Sequence, residues 1–144
     1  GNVIGSRGSF IPKIVKSLLS GKSVEITDTA MTRFWMTQDE AADLVFHAIH
    51  PKNDGNLLVY SGQSSTVVFL MDAIAELLGI EKYKKVIIGI RPGEKIHEVL
   101  ALHKDEKGVF TSDNVLRMYS KDELKEKLLL IVRSIEKEHK NGSH

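Results

Sequence analysis

The 144-residue sequence contains no cysteine and only three prolines. The missing cysteines exclude disulfides, thiolate metal sites and a cysteine nucleophile, and they suit a cytoplasmic protein. Its 19 acidic and 20 basic residues nearly cancel, so no broad charge favours nucleic acid or an anionic membrane. The longest apolar runs, such as Leu128–Val132, are far too short to span a bilayer. We therefore expect a cytoplasmic protein with neither nucleic acid nor membrane as partner.

Two features of dinucleotide-dependent enzymes are also missing. Gly1, Gly5 and Gly8 follow the spacing G-x-x-x-G-x-x-G, whereas a Rossmann turn has G-x-G-x-x-G after a strand. The short-chain dehydrogenase signature Y-x-x-x-K is absent, because no tyrosine is followed by lysine at the fourth position. The sequence begins with glycine rather than methionine, and we interpret the chain as a fragment that lacks catalytic residues of its own.

Helices and strands alternate along the chain, which predicts an α/β fold. Capping residues and apolar spacing predict four main helices, which start after Ser9, after Thr37, at Ser64 or Ser65, and after Ser120. A shorter helix is predicted around Ile96 to Leu100. The second helix is expected to bury an apolar face that includes Val45 and Ile49.

Strands are predicted where β-branched and apolar residues alternate or cluster. The predicted strands are Val24–Thr27, Thr32–Met36, Leu57–Tyr60 and Val86–Ile90. The last of these is so apolar that we expect it to be buried. His47 and His50 stand three residues apart on a predicted helix, but acidic neighbours and the lack of a third ligand favour a solvated face over a metal site, and we predict none.

Three segments resemble one known family. Residues 1–12 read G-N-V-I-G-S-R-G-S-F-I-P, residues 27–37 read T-D-T-A-M-T-R-F-W-M-T, and residues 89–98 read G-I-R-P-G-E-K-I-H-E. In this order they resemble the UDP-N-acetylglucosamine 4,6-dehydratases and UDP-sugar 4-epimerases of polysaccharide biosynthesis, which are extended short-chain dehydrogenases/reductases. The resemblance covers residues 1–105, and residues 106–144 are predicted to form a polar connector and a terminal helix.

The resemblance implies an α/β chain that forms the carboxy-terminal portion of such an enzyme. This portion contains the end of the Rossmann sheet and a small domain that binds the UDP-sugar. An NADP or NAD cofactor would be held mainly by an amino-terminal half that is missing here, and none is expected on this chain alone. The Phe34-Trp35 pair favours a dehydratase, while an epimerase and a non-catalytic nucleotide-sugar-binding module remain alternatives.

The resemblance places Arg33 and Arg91 at the diphosphate of the ligand. A guanidinium suits this role because its planar fork donates two hydrogen bonds and stays charged. Asn2 is expected near the phosphates, and Glu94 is expected to accept hydrogen bonds from the ribose hydroxyls.

The remaining candidates precede the first helix. Ser6, Arg7, Gly8 and Ser9 lie where free backbone N–H groups and the helix dipole favour an anion. His97 and Glu98 are interpreted as structural, because the resemblance places the proton and hydride chemistry in the other half. Since the strand Leu57–Tyr60 would lose its neighbours in a fragment, we expect a homo-oligomer or pairing with an amino-terminal half.

Overall fold

A computed structural model describes residues 2–6, 9–53, 58–59, 62–102, 109–111 and 118–142. Its helices are α1 (Phe10–Leu19), α2 (Gln38–Ala48), α3 (Val67–Leu77) and α4 (Lys121–Asn141), with a 3-10 turn at Pro51–Asn53. Its strands are β1 (Asn2–Val3), β2 (Val24–Ile26), β3 (Thr32–Met36), β4 (Ser64–Thr66), β5 (Lys85–Ile87), β6 (Val99–Leu102) and β7 (Val109–Thr111). The predicted α/β class is confirmed.

Strand β3 is the centre of a three-stranded sheet. It pairs in parallel with β1, where Asn2 faces Trp35, and antiparallel with β4, where Arg33 faces Ser65. Two pairs complete the described sheets: β2 runs parallel to β5, and β6 runs antiparallel to β7. The β1–β3 pair brings the amino-terminal segment beside the T-R-F-W-M strand, so two of the three family-like segments are neighbours.

The hydrophobic core lies between β3 and the helices α1, α3 and α4, which pack against one another. Helix α4 buries one stripe along its length, made of Leu124, Leu128, Val132 and Ile135. Their spacing of four, four and three residues is that of a single helix face. The last helix therefore belongs to the same core as the family-like segments.

Two polar contacts fix the centre of this core. The indole Nε1 of Trp35 donates to Ser65 Oγ at 2.9 Å, and the hydroxyl of Tyr119 donates to the Trp35 carbonyl at 3.1 Å. Trp35 and Phe34 are both buried. A buried polar group without a partner costs about 1–3 kcal/mol. These two bonds therefore favour the observed orientation of the Trp35 side chain and backbone over alternatives that would leave the indole N–H or the carbonyl unpaired.

The caps at the starts of α2 and α4 match the sequence. Thr37 with Glu40, and Ser120 with Glu123, each form a reciprocal capping box. Helix α4 has 21 residues, the length of a bilayer span, but lysine and glutamate recur along it. None of the helices described here could traverse a membrane.

The prediction that α2 buries one apolar face is wrong. No residue of this helix is buried, and Val45, Phe46 and Ile49 are 62%, 68% and 70% exposed. The apolar spacing correctly indicated a helix with one apolar side, but within the described chain nothing packs over that side. Periodicity identifies a surface that favours burial, and it does not tell which polypeptide supplies the cover.

Two other predictions for the later part of the chain are wrong. The predicted strand Val86–Ile90, which directly precedes the R-P-G-E segment, was expected to be buried, but Ile87, Ile88 and Ile90 are exposed. Val99–Leu102 forms strand β6 instead of a helix, because it pairs with Val109–Thr111. Both errors come from tertiary context, which overrides local preference in short segments.

The start of α3 and the fourth predicted strand also differ from expectation. Ser64 and Ser65 lie in β4, and Thr66 caps α3 by accepting a hydrogen bond from Phe69 N at 3.1 Å. Of the predicted strand Leu57–Tyr60, only residues 58 and 59 are described, and they lie outside any strand.

Candidate functional site

The R-P-G-E segment, residues 91–94, forms a tight turn. Glu94 N donates to the Arg91 carbonyl at 3.0 Å, and Gly93 has φ +83°. Proline in the second position and a glycine with positive φ in the third are typical of a type II turn. The turn folds the Glu94 side chain back, and its Oε2 accepts from Arg91 N at 3.3 Å. We call residues 91–98 the anchor loop.

Arg33 holds the anchor loop against β3. Its Nη1 donates to the carbonyls of Thr32 at 2.7 Å and Ile96 at 2.9 Å, and its Nη2 donates to Lys95 O at 2.9 Å. Three of the five N–H groups of a guanidinium are therefore used by the protein backbone. The cation itself stays available, because carbonyl partners do not neutralise its charge.

A second set of bonds connects the same loop to Thr32. Thr32 N donates to Ile96 O at 3.0 Å, and Thr32 Oγ1 lies 2.8 Å from His97 Nδ1. Thr32 is buried and His97 is half-buried. These contacts support the structural reading of His97.

Glu98 joins the loop to β1 as well as β3. Its Oε2 accepts from Asn2 Nδ2 at 3.1 Å and lies 3.5 Å from Phe34 N. Asn2 Nδ2 also donates to the Phe34 carbonyl at 3.1 Å. The predicted ligand residue Asn2 is thus oriented by a residue 96 positions away in the sequence.

Glu94 has partners on both carboxylate oxygens. Oε2 accepts from the Arg91 backbone, and Oε1 accepts from Thr27 Oγ1 at 3.1 Å. Thr27 directly follows β2, so this bond draws the turn towards the end of that strand. Since each carboxylate oxygen has a further lone pair, Glu94 can still accept from a ligand hydroxyl.

A cavity of about 810 Å³, which we call the large cavity, lies between α1, β2 and the anchor loop. Its basic side chains are Lys13, Lys16, Lys22 and Arg91. The acidic side chains Glu25 and Glu94 also line it. Phe10 and Ile88 provide apolar wall. The mixture of several cations, an acceptor and apolar surface fits an anionic ligand that carries a flat or apolar group.

A smaller cavity of about 180 Å³ is lined by Asn2, Arg33 and Glu94. It shares Phe10, Thr27 and Glu94 with the large one. Arg33 and Arg91 therefore border adjoining spaces with a common wall, rather than opposite sides of the protein.

A third cavity of about 360 Å³ lies at the start of α1 and is lined by Asn2, Ser6 and Ser9, together with Trp35. Ser9 precedes the helix but makes no side-chain cap, and its buried Oγ has no described partner. Arg7 and Gly8 lie outside the described residues. Ser6 and Ser9 thus line a cavity that Asn2 also lines, and Asn2 in turn lines the cavity of about 180 Å³ beside the anchor loop.

Sequence reasoning missed the lysines of the large cavity. Lys13 and Lys16 are three residues apart on the exposed side of α1, a spacing that places them on one face. The spacing could have indicated a basic face on α1, but only the fold shows that this face lines the same cavity as Arg91. Across the described ranges, no group of three metal-binding side chains comes together.

Comparison with protein families gives one match. The family described as "Polysaccharide biosynthesis protein" matches residues 1–120. A UDP-glucose 4-epimerase of Rickettsia akari is 39% identical over 105 residues, which are 73% of this chain and 30% of that protein. An inverting UDP-N-acetylglucosamine 4,6-dehydratase of Campylobacter jejuni is 35% identical over 115 residues, which are 79% of this chain and 33% of that protein.

Solved structures share the fold. Pen from Bacillus thuringiensis has a TM-score of 0.74 and 29% identity, and the match covers 92% of this chain and 48% of that one. A UDP-N-acetylglucosamine 4-epimerase from Methanobrevibacter ruminantium has a TM-score of 0.64 at 24% identity, covering 95% and 44%. The chain spans about a third of the length of the curated relatives and about half that of the solved ones.

Proposed function

Because the chain belongs to the polysaccharide biosynthesis protein family, whose matched relatives modify UDP-sugars, we propose that it is the UDP-sugar-binding part of a nucleotide-sugar 4,6-dehydratase of UDP-N-acetylglucosamine type. The observation that carries the proposal is the arrangement of Arg91, Arg33 and Glu94 around adjoining cavities. In the proposed mode the uridine diphosphate occupies the large cavity. The hexose extends towards the smaller cavity that Asn2 lines.

In this arrangement the residues have distinct tasks. Arg91 pairs with the diphosphate, helped by the long-range attraction of the neighbouring lysines. Glu94 already accepts hydrogen bonds from Thr27 Oγ1 and Arg91 N, and its remaining lone pairs accept a hydrogen bond from a ribose hydroxyl. Arg33 contributes positive charge and keeps the anchor loop in place. Ser6, Arg7, Gly8 and Ser9 remain candidate anion contacts at the start of α1.

We propose that an NAD(P) cofactor would be held mainly by an amino-terminal half rather than by this chain alone. The glycine that follows β1, Gly5, has φ +83°, but a Cβ built there would meet Ile131 Cδ1 at 3.3 Å. The positive φ by itself favours glycine at this position, and Ile131 of α4 leaves little room for a side chain, so backbone conformation and packing account for Gly5 without a cofactor. We assign no redox or proton-transfer step to this chain, whose task is to bind and orient the substrate.

Two alternatives compete with the dehydratase. A UDP-sugar 4-epimerase is favoured by the 39% identity to the Rickettsia akari protein. A non-catalytic UDP-sugar-binding module has the same ligand without turnover. Both share the binding site proposed here, so binding is the property to test first.

Calorimetric titration with UDP and UDP-N-acetylglucosamine tests the site directly. Arg91→Ala should weaken binding of both ligands at least tenfold, since a charge-assisted bond contributes about 1.5–3 kcal/mol. Arg133→Ala is the matched control, because Arg133 lies on α4, pairs with Glu136 and lines none of the described cavities. Absence of binding by the wild-type chain, or equal binding by Arg91→Ala, would contradict the proposal.

Arg33→Ala should behave differently from Arg91→Ala. Loss of Arg33 removes three bonds to the backbone, so binding and thermal stability should fall together. The exposed Arg91 side chain should affect binding alone. Melting curves of the two variants in the absence of ligand make this distinction.

We also propose that another polypeptide covers the exposed apolar side of α2, either in a homo-oligomer or through pairing with an amino-terminal half. An exposed cluster of Val45, Phe46 and Ile49 is the feature that favours such an interface. Light scattering should give a mass above the 16.1 kDa of one chain, and Phe46→Asp should lower it. Leu130→Asp on α4 is the control. A stable, monodisperse monomer would exclude the homo-oligomer.

A further inference from the structure

The side-chain amide of Asn2 is fixed in one orientation. Its Nδ2 lies 3.1 Å from the Phe34 carbonyl oxygen and 3.1 Å from Glu98 Oε2. A carbonyl and a carboxylate are both acceptors, so each needs the NH₂ group of the amide. The swapped amide would bring an oxygen against two oxygens, and the hydrogen-bond network therefore determines which atom is which.

The protein itself uses both N–H groups of this amide. The atom left over is Oδ1, which can only accept, and the described residues supply no donor to it. An ionised diphosphate offers acceptors alone and therefore cannot bond to Oδ1. A ligand group that meets the Asn2 side chain must carry O–H or N–H.

The position of Asn2 narrows the choice of ligand group. Asn2 lines the cavity of about 180 Å³ with Arg33 and Glu94 and the cavity of about 360 Å³ with Ser6 and Ser9, but it does not line the cavity of about 810 Å³ that Arg91 lines. If the nucleotide occupies the larger space, as proposed above, the group that reaches Asn2 lies beyond the diphosphate. In a UDP-sugar that group is the hexose, whose hydroxyls and acetamido N–H are hydrogen-bond donors.

We propose that Asn2 recognises the hexose rather than the diphosphate, by accepting a hydrogen bond at Oδ1 from a sugar hydroxyl or amide N–H. Glu98 is the positioning residue, because its carboxylate, together with Phe34 O, keeps the oxygen of the Asn2 amide turned towards the ligand. This inference rests on the proposed UDP-sugar function and adds the moiety that Asn2 selects.

Titration of the full chain with two probes, UDP and UDP-N-acetylglucosamine, tests the assignment. Asn2→Ala should raise the Kd for UDP-N-acetylglucosamine about three- to tenfold, the usual range for one hydrogen bond, and leave the Kd for UDP unchanged. Equal weakening of both probes would overturn the inference while leaving the proposed function intact. Failure of the wild-type chain to bind either probe would instead overturn the proposed function, and the inference with it.

Variants of Glu98 test the positioning role without changing Asn2. Glu98→Ala should reduce the preference for UDP-N-acetylglucosamine over UDP in the same direction as Asn2→Ala, by a smaller factor. Glu98→Gln retains an acceptor oxygen and should restore the wild-type preference. A purely structural role would shift both affinities together, and this result would overturn the part assigned to Glu98. These variants also decide the question should Asn2→Ala fail to fold.

Discussion

Helices α2 and α3 have the same length, 11 residues, and the same kind of start, a threonine whose hydroxyl accepts a backbone hydrogen bond. Their surroundings are opposite. Helix α3 buries six of its residues against α1, α4 and β4, whereas α2 buries none. Similar caps thus begin a helix inside the core and a helix beside it. The two helices differ in composition, with nine apolar residues in α3 and six in α2, and of the two only α3 is covered by the described residues.

The comparison bears on function because both helices are adjacent to the site through β3. Strand β3 pairs with β4, which leads into α3, and β3 itself leads into α2. Arg33 and Thr32 lie on this strand and hold the anchor loop. The loop is therefore supported from the α3 side by a complete core, while the α2 side has no cover among the described residues.

The largest expected effect comes from a matched pair of isoleucines. Ile74→Ala removes a fully buried side chain of α3 and should lower the free energy of unfolding by about 2–5 kcal/mol. Ile49→Ala, at the exposed end of α2, should change it by less than about 0.5 kcal/mol at protein concentrations where the chain is monomeric. Denaturant unfolding measures both variants.

Repeating this measurement at two protein concentrations makes it more informative. If Ile49→Ala destabilised the protein as strongly as Ile74→Ala, and more so at high concentration, the side of α2 would be covered by a second copy of the chain. Equal effects at every concentration would remove the contrast between the two helices.

The sequence predicted those parts of the fold that depend on neighbouring residues. The predicted caps at Thr37 and Ser120 both formed, and each also pairs with the glutamate three residues later in a capping box. Strand Thr32–Met36 was also correctly bounded. These features follow from local hydrogen bonding and side-chain spacing, which the sequence displays directly.

Features set by distant residues were not predictable in the same way. Val99–Leu102 became a strand because of a pairing partner further along the chain, and the bond between Asn2 and Glu98 spans most of the sequence. For the site, the resemblance named Arg33, Arg91 and Glu94, but it could not show that Arg33 uses two of its five N–H groups to hold the anchor loop. That property depends on the position of the Lys95 and Ile96 carbonyls in space.

A smaller effect is expected at the two helix caps. Thr66→Ala should lower the free energy of unfolding by about 1 kcal/mol, because the first turn of a buried helix loses its acceptor. Thr37→Ala should lower it less, since α2 can open locally without exposing the core. Hydrogen exchange should show faster amide exchange confined to α2 in the second variant. Thr66→Ser keeps the hydroxyl and should behave like the wild type, and equal losses from the two alanine variants would mean that α2 unfolds only with the core.

The smallest effect concerns the polar side of α3. Asp72 is partly buried, which by itself raises its pKa, but hydrogen bonds from Lys85 and Tyr83 outweigh this and hold the pKa below its usual value. A carboxylate whose pKa is lowered in the folded state stabilises the protein above its unfolded pKa of about 3.9, and this contribution disappears as the pH falls through the folded pKa.

Asp72→Asn should therefore lower the free energy of unfolding by about 0.2–1 kcal/mol at neutral pH, the range of partly exposed ion pairs. The difference from the wild type should shrink as the pH is lowered below 3.8. Asp43→Asn on α2 is the control, since the described chain records no ion pair for Asp43. Urea unfolding of the wild type and of both variants at several pH values measures these differences. A loss at Asp72 that stayed constant down to low pH would show that the charge of Asp72 is not what links α3 to β5.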